Sequence, residues 1–103
     1  MNDAVQAITE ELNDLAESLE GIERMAGPST GFSRAGRLFA TADAGGFEFL
    51  VGDLIAGAAL RTPDVMPGSR GSGWVRFAPS ELDQPALDRA LSWFEAAWRR
   101  AEG

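Results

Sequence analysis

The sequence predicts an α+β domain: an antiparallel sheet of about four to five strands with N- and C-terminal helices packed on one face, in the order α-β-β-β-α-β-α. Three observations point there. Both ends carry apolar residues at helical spacing. The centre carries short alternating runs separated by glycines, as strands and turns do. Between them lies no linker long enough to divide the chain, so residues 1–103 read as one domain.

In the first element, Val5, Ile8, Leu12, Leu15, Leu19 and Ile22 recur at intervals of three and four, which predicts a helix over 3–25. Asp3 is placed to cap it, and Pro28 within "AGPSTG" is expected to stop it. "RLFATA" and "FEFLV" read as a hairpin joined by "DAGG", with an earlier strand at 31–33 and a turn at "RAGR". Phe47, Phe49 and Val51 share one face of the second hairpin strand, and Glu48 and Leu50 share the other. Asp53 then caps a short helix, "DLIAGAALR", which Pro63 ends. Residues 62–73 are expected to be irregular. "WVRF" (74–77) is a strand with Trp74 and Arg76 on one face and Val75 and Phe77 on the other. A last helix over about 83–101 carries the stripe Leu87, Leu91, Phe94 and Trp98, widened by Ala90 and Ala97, with Trp93 at its rim.

Composition excludes several chemistries. There is no cysteine, histidine, lysine or tyrosine. Disulfides, thiolate nucleophiles, imidazole bases, histidine metal ligands and lysine Schiff bases are therefore ruled out. The several serines have no His, Lys or Cys beside them to activate one, so no catalytic residue is assigned and no cofactor is implied. The net charge is −7, and residues 1–23 hold seven acids and no base. Such a chain is repelled by bulk nucleic acid and by anionic membranes. An acidic start without an apolar run is not a secretion signal, and a cytoplasmic location is expected.

The candidate contacts lie in the middle segment. All nine cations are Arg, and Arg24, Arg34, Arg37, Arg61, Arg70 and Arg76 give residues 24–80 a local positive balance. Arg binds carboxylate and phosphate through its planar fork, so convergence of these side chains would make an anion site. Arg37 and Arg76 are also placed to pair with Glu48 across strands. "PGSRGSGWVRF" (67–77) spaces its glycines as G-x-x-G-x-G, the reverse of the dinucleotide pattern, and leads into a strand where a phosphate cradle leads into a helix. It reads instead as a mobile loop that delivers Trp74 into the core. On the first helix Glu10, Asp14 and Glu17 share a face, a weak divalent-cation candidate set against the ordinary reading of a solvated face.

"LAESLEGIE", "GRLFATA", "FEFLVG", "ALRTPDV", "GWVRF" and "LDRALSWFEAAW" together resemble the YjbR/MmcQ family, across residues 9–101. That family belongs with TfoX N-terminal-like and frataxin-like (CyaY-like) folds. The resemblance implies a compact sheet with helices on one face and a DNA-binding description, with no catalytic residues to carry over. The frataxin-like relation implies iron at the acidic first helix.

The leading reading is a cytoplasmic, non-enzymatic binding module of the YjbR-like type that takes a protein or anionic partner. Its expected contacts are Arg34, Arg37, Arg70, Trp74 and Arg76, on the sheet face and the 62–73 loop. The second reading is a DNA-binding protein using the same Arg, and the third is divalent or iron binding at Glu10, Asp14 and Glu17.

Overall fold

A computed structural model describes residues 3–27 and 29–102. The chain runs α1 (Asp3–Ser18), β1 (Ile22–Met25), β2 (Thr30–Arg34), β3 (Arg37–Asp43), β4 (Gly46–Leu50), α2 (Asp53–Ala59), β5 (Val65–Pro67), β6 (Trp74–Phe77) and α3 (Gln84–Ala101). The strands form one antiparallel sheet of six, ordered β1-β2-β3-β4-β6-β5. The α+β class and the placement of the terminal helices are as the sequence predicts. The two further strands are β1 and β5.

β1 comes out of the segment assigned to the first helix. The helix stops at Ser18, although Leu19 and Ile22 continue its apolar spacing. Gly21 adopts φ 74, in the left-handed region where helices are turned off. The indole N–H of Trp98 donates to the Glu20 carbonyl at 2.8 Å and ties this turn to α3. Asp3 stands in the first helical turn. The helix stop expected at Pro28 lies outside the described residues. Within the segment expected to be irregular, Val65–Pro67 pairs along β6 as a short edge strand.

One core lies between the sheet and the helices. All six phenylalanines are fully buried, and five of them come from the sheet. The helices contribute smaller groups: Val5, Ile8, Leu12 and Ala16 from α1, Ala56 and Ala59 from α2, and Ala86, Ala90, Ala97 and Ala101 around Phe94 from α3. The centre of the α3 stripe is thus its alanines, with Leu87, Leu91 and Trp98 partly buried at the flanks. Small residues let the helix backbone approach a sheet whose aromatic rings fill the space. The Phe94 ring meets Phe32 and Phe39 edge-on, with centroids 5.0 and 5.3 Å away. Trp93 takes its rim place, edge-on to Phe77 at 5.3 Å.

A bulge makes the double contact with Phe94 possible. Phe32 pairs with Ala40 and Ser33 with Leu38, so Phe39 is an extra residue with no partner on β2. Beyond the bulge the alternation is reset. On β3 this turns Leu38 to the opposite side, beside Gly31, 3.1 Å from where a Cβ would stand there, while Arg34, two residues beyond Phe32 on the unbroken β2, lies on the helix side by ordinary alternation.

At the far end of this hairpin Ala35 (φ 53) and Gly36 (φ 78) form a two-residue turn with both φ positive. Only Ala35 carries a Cβ that opposes the left-handed conformation. Ala35→Asn gives the turn its preferred Asn-Gly sequence. Thermal melting is expected to show a gain of about 1 kcal/mol, or about 4–8 °C for a domain of this size.

Candidate functional site

With the helices on one face, no helix among the described residues covers the other face of the sheet. Met25, Gly31, Thr41, Glu48, Arg76 and Met66 stand in register across it, one from each strand. The centre of this row is polar. Thr41 and Glu48 are buried, at 5% and 6% exposure. A buried carboxylate is costly unless it is paired and hydrogen-bonded. Glu48 meets that condition by gathering its neighbours. The Ser69 backbone N–H donates to its Oε1 at 2.8 Å, and the Ser69 hydroxyl donates to its Oε2 at 2.8 Å. Arg76, directly opposite on β6, donates to Oε2 at 3.5 Å.

The same Arg76 grips Asp43 with both guanidinium nitrogens, each 3.0 Å from a carboxylate oxygen. Asp43 also accepts from the backbone N–H groups of Gly45 and Gly46, which closes the β3–β4 turn. The hydrogen bond from Arg76 holds the Asp43 carboxyl below the usual carboxylate range, and Asp43 in turn raises the Arg76 pKa further.

These contacts tie down the segment expected to be a mobile loop. Residues 68–73 are pinned at two serines: Ser69 to Glu48, and Ser72, whose hydroxyl donates to the Asp53 carboxylate at 2.8 Å. Asp53 is therefore not the helix cap. Gly52 occupies that position without a side-chain cap, and Asp53 opens α2. The Gly68 N–H donates to the Trp74 carbonyl at 2.9 Å and the Trp74 N–H to the Gly71 carbonyl at 3.2 Å. Gly68 sits so close to β6 that a Cβ there would lie 2.6 Å from the Trp74 Cβ, so no larger residue fits.

Trp74 is half-buried and stands on the open face opposite Leu50, not in the core. Strand alternation decides this, since Val75 and Phe77 take the two core positions. The Arg70 guanidinium, exposed between the pinned serines, lies 5.8 Å from the Trp74 ring centroid.

The candidate arginines do not converge. Arg34 lies on the helix side, 4.1 Å from the Trp98 ring centroid, donating to the Trp98 carbonyl at 3.0 Å with Glu102 at 3.9 Å. It thereby satisfies and charge-balances the C-terminus of α3. Arg37 is exposed beside the Ala35–Gly36 turn and does not reach Glu48. Arg76 is committed to Asp43 and Glu48, and Arg24 to Glu17 at 3.8 Å. Only Arg70, Trp74 and Arg76 share the open face near the loop. The pairing of Arg76 with Glu48 is as the sequence predicts, but sequence reasoning missed that Glu48 is buried and that it holds Ser69. The signal available was a lone acid in the middle of an apolar strand.

Glu10, Asp14 and Glu17 are exposed on α1, and Glu17 faces Arg24. Among the described residues no group of three acidic side chains is placed to hold a metal ion. Also among them, no helix is long and apolar enough to cross a membrane. Comparisons with protein families, with curated proteins and with solved structures find no match.

The lowered pKa of Asp43 fixes a pH response. A carboxyl whose folded pKa lies below its unfolded one stabilises the fold above about pH 4, and the contribution is lost as pH falls through the depressed value. Acid unfolding followed by circular dichroism is expected to show this loss in the native chain. In Asp43→Asn the dependence in that window should flatten.

Proposed function

We propose that the chain is a small non-enzymatic protein-binding module, of the YjbR-like type suggested by its sequence, acting in the cytoplasm. Its contact surface is the open sheet face at Trp74, Leu50 and Arg70. The observation that carries this reading is the pinned loop. Ser69 and Ser72 hold residues 68–73 against Glu48 and Asp53, and so hold an aromatic ring and a cation outward on a fixed surface. Aromatic and Arg side chains kept in place before contact cost little ordering entropy and are the residue types that dominate protein interfaces.

A protein partner is favoured over nucleic acid by the distribution of cations. Arg34 and Arg76 already have carboxylate partners, Arg37 stands apart at a turn, and the chain carries −7 overall. A nucleic-acid surface needs several unpaired cations along one track.

Affinity capture followed by quantitative binding compares the native chain with Trp74→Ala, Arg70→Glu and the control Ser92→Ala on α3. The reading expects Trp74→Ala to weaken the partner by about thirtyfold, on the order of 2 kcal/mol. Arg70→Glu should weaken it as well, and the control should bind as the native chain does. Equal binding by all variants, or a salt-sensitive shift of duplex DNA by the native chain, would sink the proposal.

A further inference from the structure

The two edges of the sheet are built differently. β5 spans three residues and ends in Pro67, which has no N–H to offer, and the Gly68 N–H that follows is already taken by Trp74. β1 spans four residues, Ile22–Met25, without Pro or Gly, and pairs on one side only, with β2. Its Glu23, Arg24 and Met25 are exposed, Met25 at 61%. Edge strands are commonly guarded by charged side chains. Here Arg24 is turned back to α1, donating to Asn13 at 3.0 Å and facing Glu17 at 3.8 Å, so it does not stand guard over the free edge.

The same contacts place the exposed flank of α1 beside β1. That flank and the turn after it carry Glu10, Glu17 and Glu20, with Asp14 on the outer face of the helix, all exposed, and β1 itself adds Glu23. No base occurs in residues 1–23. An open row of backbone hydrogen-bonding groups therefore runs along a strongly negative rim. We propose that β1 is a docking edge that takes an extended, basic segment of a partner protein as an added strand. Backbone hydrogen bonds to β1 supply the pairing, alternate cationic side chains on the helix side meet Glu17, and the residues between them lie beside Met25 on the open face, in the field of Glu23.

A second copy of this chain is a poor occupant. A two-fold axis normal to the sheet must oppose residues of the same face. With three residues overlapping, it centres either Glu23 on Glu23 or Arg24 on Arg24, like charges that oppose pairing. Both copies would also bring the same acidic flank. A basic peptide meets neither obstacle.

This docking edge uses other residues than the Trp74 surface, so either proposal can fail without the other. The probe is a short blocked peptide of alternating Lys and Val, titrated into the full isotope-labelled chain by NMR. Amide shifts and slowed exchange are expected in β1, with affinity falling steeply as salt rises. The Glu17→Lys/Glu23→Lys double variant should weaken binding on the order of tenfold. The same peptide N-methylated at alternate residues keeps its charge and loses the strand hydrogen bonds, and should not bind. The proposal is overturned if no shifts appear, if they are confined to α1, or if the N-methylated or a Glu–Val peptide binds as well. Sedimentation showing the free chain already dimeric through β1 would overturn it too.

Discussion

The open face of this protein depends on one buried carboxylate. Glu48 sits mid-strand in the sheet, 6% exposed, where charge is tolerated only with partners. It meets that requirement by drawing in Arg76 from the neighbouring strand and both the backbone and hydroxyl of Ser69 from the loop. Arg76 carries the tie on to Asp43 and the β3–β4 turn. The chain from turn to strand to loop leaves no unsatisfied buried side-chain polar atom among the described residues. The glycine-rich segment is thereby tied to the sheet surface, with Arg70 beside Trp74 of β6.

The helix face obeys a different constraint, that of volume. The sheet supplies rings, and α3 supplies alanines with Phe94 at the centre. The bulge at Phe39 reconciles the two, because it lets Phe39 and Phe32 both reach Phe94. On β3 it turns Leu38 to the open face, while Arg34, two residues beyond Phe32 on the unbroken β2, lies on the helix side by ordinary alternation and closes the C-terminus of α3 over Trp98.

Much of the architecture was legible because hydrophobic period is a local signal. The terminal helices, the β3–β4 hairpin and the faces of β6 follow from spacing alone. The end of α1 was not, since Leu19 and Ile22 keep helical intervals by coincidence while they pack from a turn and a strand. Gly21 in "LEGIERM" was the available sign of a helix end. β5 was hidden because a three-residue edge strand has no period of its own. The site was least legible, because convergence is a property of three dimensions. The Arg76–Glu48 pair was readable from strand register, but a local count of charges could not tell that Arg34 faces Glu102, that Arg76 also grips Asp43, or that "PGSRGSG" is held at both serines.

The central claim is that Glu48 makes the 68–73 loop a rigid part of the open sheet face. Hydrogen exchange at the Ser69 amide reads this directly, because that N–H has Glu48 as its acceptor. The account predicts protection of the Ser69 amide comparable to that of the strand amides around it. It also predicts that Glu48→Ala loses that protection while β2 and β3 keep theirs. A Ser69 amide that exchanges at the free rate in the native chain would contradict it.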